Sequence, residues 1–309
     1  MKISVRKDTH TGTQPIRVLK HNLTHRLVER NENLIKQLQS DFKLDKEIRY
    51  HIAELPLIDR QTPFVDENGQ INIHETFLSY IWSISFCVFV LHEEGIAIPD
   101  QIRLGNPLHK KHNPDLINVA KEVFDYAKSL VMVFSEWDKE VLPNPEYYDS
   151  TSDEGWYIER TNDLYVEAVN FILYHEVAHA KLEHISKIET NNYTNNELKE
   201  LELEADTLAI RIMLENCRST LSTGLSLIIG LASMFFSSRS KKGGKEHPDI
   251  DVRIENLIKL ISPEDEHPIW PLLVIFMKLW DEQFTFNFSH KTHYQNYREF
   301  YYELIKQAR

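Results

Sequence analysis

The chain has 309 residues, 42% of them hydrophobic and 27% charged, the balance of a globular protein with one large domain or two ordinary ones. Its formal net charge of −12 and the lack of any long basic patch argue against a nucleic-acid partner. Two cysteines, Cys87 and Cys217, are too few for a disulfide framework and suit a reducing cytoplasm, and the first residues (MKISVRKDTHTGTQ) carry no apolar signal-peptide core.

In chain order, residues 1–20 read as irregular or β-like, from the alternation of Ile3 with Val5 and of Ile16 with Val18. Leu23, Leu27, Leu34 and Leu38 recur at helical spacing, which predicts an amphipathic helix from Asn22 to Gln39. The runs 52–58 and 70–73 flank Asp66-Glu67-Asn68-Gly69, and an Asn-Gly between β-prone runs predicts a hairpin. Glu75 to His92 is apolar over 18 residues, a length that favours a buried helix over a strand. A loop punctuated by Pro99, Gly105, Pro107 and Pro114 follows from Ile96 to Asn113, then a helix from Asp115 to Trp137 and a long loop reaching Trp156.

The next stretch, Asp163 to Ser186, holds His175-Glu176-Val177-Ala178-His179, an HExxH motif inside a run that is apolar nearly all round. Residues four apart on a helix lie one above the other, so His175 and His179 can close on one Zn²⁺, with Glu176 placed to act as general base. The apolar surroundings predict a buried helix, and buried His and Glu need partners. An Asn-rich connector (188–196) leads to a helix expected from Asn196 as N-cap to Asn216. Leu221 to Phe236 is apolar over 16 residues, short of a membrane span, and reads as a core helix with no membrane contact expected. A Gly243-Gly244 loop and helices over 248–261, 268–284 and 290–308 complete the chain.

Three protein ligands and one open position are usual for a catalytic zinc. The metzincin pattern is excluded, because Leu182 stands where its glycine belongs and His184 comes one position too early. The alternative is a glutamate from a second helix, within Glu200-Leu201-Glu202-Leu203-Glu204-Ala205-Asp206. Glu202 shares a helix face with Leu198, Ala205, Asp206, Ala209 and Met213, whereas Glu204 shares one with Glu197, Glu200, Arg211 and Glu215. Glu202 is therefore the expected third ligand, and Asp206 is placed to fix the tautomer of a ligating histidine. His247 and Arg253, at the start of a helix, are either stabilisers of a developing oxyanion or helix-start features. His184 is either a contact behind the site or a plain helix-end histidine.

The stretches Ser79-Tyr80-Ile81-Trp82, Ile172 to His179 with His184, Glu202 to Asp206, and His247-Pro248 with Arg253-Ile254 resemble, in the same order, the Lit phage-exclusion peptidases. The HExxH, ExEAD and HP…RI series is also similar to Ste24/HtpX-type membrane metallopeptidases, which carry transmembrane helices. The Lit resemblance implies a zinc endopeptidase of abortive infection, with one Zn²⁺ per chain on His175, His179 and Glu202 and with Glu176 catalytic. It also implies translation elongation factor Tu as the protein substrate and a phage-derived peptide as activator. The Ste24/HtpX similarity implies that His247 and Arg253 contact the transition state. The expected fold is mainly α: a zincin-like helical core over 75–309, with a small antiparallel β-hairpin or sheet in an N-terminal α+β lobe (1–74) of the same domain. Two other readings stay open: a regulatory protease that cuts a repressor, like the ImmA/IrrE proteins, and a non-catalytic interaction protein stabilised by zinc.

Overall fold

The computed structural model describes residues 13–59, 61–215, 217 and 219–308. The expected alternation of Ile3 and Val5, and the helix end expected at Asn216, lie outside them. The fold is mainly α, with a three-stranded mixed sheet near the N-terminus. Its helices are α1 (Lys20–Arg30), α2 (Glu32–Ser40), α3 (Glu75–His92), α4 (Ile98–Leu104), α5 (Leu116–Met132), α6 (Asp153–Lys181), α7 (His184–Thr190), α8 (Asn195–Glu215), α9 (Thr220–Ala232), α10 (Ile250–Ile261), α11 (Ile269–Phe284) and α12 (Tyr297–Gln307). The strands β1 (Arg49–His51), β2 (Phe64–Val65) and β3 (Ile71–His74) pair in the order β1-β3-β2. Packing divides the chain into two compact units.

The first unit takes residues up to His25, Tyr50–Thr62 and Ile73–Val166. Its centre is α3, almost wholly buried and packed on α5. Buried hydroxyls must find acceptors. Ser83 and Ser85 donate back to the carbonyls of Ser79 and Ile81 at 2.8 and 2.7 Å, and Ser79 donates to Gln14 Oε1 at 2.7 Å. Pro15–Leu19 is a 3₁₀ turn and not an extended segment: Pro15 pre-sets φ, and Ile16 and Leu19, three apart, are both buried. The run 52–58 is not a strand either. Pairing stops at His51, and Ile52, Leu55 and Ile58 are exposed. The chain does not leave the helix after His92, and the segment from Ile96 is not all loop. The chain passes through a π-helical turn, Glu93–Ala97, into α4, and Gly105 (φ 70) closes it in the left-handed region.

The second unit takes Arg26–Arg49, Pro63–Asn72 and Glu167–Arg309. The predicted first helix is two, because Asn31 leaves the helix and its side chain accepts from Leu34 N–H to start α2. A hairpin does turn at Asn68-Gly69, but its first arm is Phe64–Val65 and not the run 52–58: Phe64 faces Asn72 and Val65 faces Ile71 in an antiparallel pair. Gly69 (φ +76) makes the turn, and a Cβ there would lie 2.5 Å from the Lys43 carbonyl oxygen. Helices α8, α9, α10 and α11 pack on one another, and α12 packs on α11. Gly230 of α9 sits so close to α6 that a Cβ would lie 2.9 Å from the Phe171 ring and 3.3 Å from the Ala168 carbonyl oxygen. The helical stretch Thr220–Ser237 counts 18 residues, so length alone does not separate it from a span. Its contacts with α8, α10 and α11 account for its apolar faces.

Candidate active site

Helix α6 begins well before its apolar run, at Asp153, because Ser152 Oγ accepts from Gly155 N–H at 2.9 Å and caps it. Its last turns belong to the second unit and carry the HExxH segment, with His175 and Glu176 each 8% exposed. Tyr174 anchors this stretch by donating to the Leu27 carbonyl at 2.7 Å. The helix stops just past the motif. Glu183 takes φ 59, and the chain re-enters as α7 at His184.

Helix α8 starts at a capping box on Thr194, two residues before the expected cap at Asn196. Thr194 N–H donates to Glu197 Oε2 at 2.7 Å, and Glu197 N–H returns to Thr194 Oγ1 at 3.4 Å. From that start, Ala205, Asp206, Ala209 and Met213 fall on the buried face and Glu202 beside them.

The structure brings His175, His179 and Glu202 together. Their ligand atoms lie within 4.8 Å of one another. The two Nε2 atoms are 3.0 Å apart, and each is 3.4 Å from an oxygen of Glu202. Two imidazole nitrogens and a carboxylate converging on one point, with lone pairs to offer, form a donor set that fits a divalent cation. Burial and the neighbouring His175 hold His179 down at about 3, so its ring is neutral at physiological pH. Burial opposes charge on Glu202, but the contacts with His175 and His247 win and keep its carboxyl well below the usual range.

Asp206 lies behind His175, wholly buried, with Oδ1 2.9 Å from His175 Nδ1. The Asp206 carboxylate thus faces the Nδ1 edge of the His175 ring. Arg253, 8% exposed on α10, donates to both Asp206 oxygens at 2.6 Å and reaches Met234 Sδ at 3.4 Å. Burial alone would raise Asp206; the Arg253 guanidinium overcomes it and holds the carboxyl at about 2. Arg253 is thus spent on Asp206. His247 reaches the site from the loop before α10, with Nδ1 3.1 Å from Glu202 Oε2 and 58% of its side chain exposed.

Glu176 receives one hydrogen bond, 2.9 Å from Val65 N–H to Oε2. Asp66 N–H bonds Gln70 across the hairpin at 3.1 Å, so by strand alternation Val65 turns its own N–H and C=O away from β3. Burial pushes Glu176 up to about 7, the His175 contact opposing and the Glu202 charge adding to the rise. His184 stands behind His179, fully buried, its Nδ1 3.0 Å from His179 Nδ1 and its Nε2 3.2 Å from Glu204 Oε2. Sequence reasoning missed two of these groups. Val65 acts through its main chain and leaves no side-chain signal. Glu204 was assigned to the solvated face, which it does half occupy, at 53% exposure.

No curated protein and no solved structure matches the chain. The family model for Peptidase U49 does match, over residues 71–273, a span that runs from β3 into α11 and includes every one of these side chains. On that match, which covers well over half of its length, the chain belongs to the Peptidase U49 family.

Proposed function

We propose that this peptidase is a zinc-dependent endopeptidase that hydrolyses its protein substrate with Glu176 as general base. The observation that carries the reading is the convergence of His175 Nε2, His179 Nε2 and the Glu202 carboxylate beside a buried glutamate whose proton affinity lies near neutrality. His175, His179 and Glu202 would hold the zinc, and a set of three leaves a coordination position open, as catalytic sites do. When bound, zinc supplies a Lewis acid that acidifies water and polarises a carbonyl.

The chain's own groups do the rest. Val65 N–H holds Glu176 Oε2, which leaves Oε1 to take a proton from the attacking water and pass it to the leaving amine. The exposed ring of His247 donates to the oxyanion of the substrate carbonyl. Arg253, expected to share that task, instead positions His175 through Asp206. The outward edge of β2 offers Val65 C=O to an extended peptide main chain, which fits a polypeptide substrate and not a small molecule.

The finer reading is cytoplasmic action in abortive infection, with translation elongation factor Tu cleaved and a phage-derived peptide as trigger. Its support is the motif order from Ser79-Tyr80 to Arg253-Ile254, together with two free cysteines. The test is to measure zinc by mass spectrometry and to incubate the protein with purified elongation factor Tu, with and without phage lysate. One zinc per chain and a single cut that is lost in Glu176→Gln are expected. A Glu176→Gln protein that still cuts would sink the general-base assignment. A zinc protein that cuts other lysate proteins but not the elongation factor would sink only the substrate.

A further inference from the structure

His184 was open between a functional contact and a helix-end residue, and its surroundings decide between them. It is 0% exposed, and both ring nitrogens have partners: His179 Nδ1 at 3.0 Å and Glu204 Oε2 at 3.2 Å. The left-handed Glu183 (φ 59) turns the chain at the end of α6 and brings His184 back under the His179 ring.

Proton bookkeeping then runs in one direction. A histidine that offers the Nε2 lone pair to a cation carries its ring proton on Nδ1. His179 Nδ1–H must therefore donate, and His184 Nδ1 must accept. A neutral His184 that accepts at Nδ1 carries its proton on Nε2. That proton points at Glu204 Oε2, an atom that can only accept. Every link is compatible with the next: reversing His184 sets two N–H groups against each other at His179 and a lone pair against the carboxylate at Glu204, and reversing His179 sets two lone pairs against each other.

We propose that His184 and Glu204 are positioning residues that lock His179 in its ligand tautomer and ring orientation. The inference rests on the zinc reading above. It assigns His179 a support that begins at the solvent-accessible Glu204, whereas the support of His175 ends on the buried Arg253.

The experiment is zinc affinity by chelator competition on the full chain, with histidine tautomers read by long-range ¹H–¹⁵N correlation on ¹⁵N-His protein. Glu204 is half exposed, so its variants leave the core intact, and circular dichroism checks this. Glu204→Lys replaces the acceptor by a donor, which drives the His184 proton to Nδ1 against His179. A loss of about 10- to 100-fold in zinc affinity is expected, with Glu204→Gln, which keeps an acceptor oxygen, restoring most of it. His184→Gln should retain more affinity than His184→Leu, because an amide can accept and donate as the ring does. In zinc-loaded wild type, His184 should read as the Nε2–H tautomer. Wild-type zinc affinity in Glu204→Lys, or His184 found as Nδ1–H, overturns the inference and leaves the zinc site standing. Wild type that binds no zinc overturns both.

Discussion

Glu94 and Glu176 are both buried helical carboxylates, 1% and 8% exposed, one in each compact unit. Glu94 sits on the π-helical turn after α3 and accepts from Lys110 Nζ at 2.7 Å, Asn113 N–H at 2.8 Å and Tyr157 OH at 2.7 Å. Burial works against its charge, but Lys110 and Tyr157 outweigh it and hold the carboxyl below the usual range. Glu176 has a single N–H among the described residues and is opposed more heavily by burial, and it rises to about 7. The supply of donors, weighed against the cost of burial, thus separates a carboxylate held charged from one with a raised proton affinity. Asp206, in contact with His175, follows the Glu94 pattern: saturated by Arg253, it is a lock beside the candidate metal ligands.

The sharpest break of this comparison is Glu176→Gln. Cleavage should fall by about 10²- to 10⁴-fold, the range of a lost general base, with zinc content and thermal midpoint kept. A fall in the midpoint as large as that of a saturated carboxylate would place Glu176 with the locks. Next comes Arg253→Leu, which strands Asp206 without its counter-charge. A loss of about 3–5 kcal/mol in urea unfolding is expected, with weaker zinc binding alongside. Unchanged stability would show that Asp206 does not depend on the guanidinium.

Glu94→Gln should cost about 3 kcal/mol, because Lys110, only 6% exposed at its side chain, loses its partner. This loss has a pH signature. The folded carboxyl holds its proton less tightly than the unfolded one, so its contribution is complete above the unfolded value near pH ~4.3 and fades as pH falls through the folded one. The gap between wild type and Glu94→Gln should therefore narrow only under acid, and a gap constant down to acid unfolding would refute the assignment. The smallest effect is expected from Val65→Pro. Its N–H lies off the hairpin ladder, so proline is tolerated on this edge strand. Glu176 would lose its one donor, and kcat should drop about tenfold with zinc retained.

Much of this was legible in the residues. The i, i+4 histidines, the apolar helix around them and the phase of α8 together select Glu202 and Asp206, because helical periodicity is a local property that sequence spells out. The Asn-Gly hairpin was legible for the same reason. What escaped depends on where chains meet or stop. Glu183 is no glycine, so nothing marked the left-handed turn that splits Asp163–Ser186 and folds His184 under His179. The continuation of α3 through Glu93–Ala97 was masked by Gly95 and Pro99. Arg253 looked like an oxyanion donor until its fork was seen to close on Asp206.

The grip of Val65 on Glu176 comes from a peptide N–H, and nineteen of the twenty residue types supply one. Side chains on this edge, Phe64 among them at 50% exposure, take no part in that contact. On the proposed mechanism, the side chains of this strand could therefore change with the substrate while the main-chain contact to Glu176 stays in place.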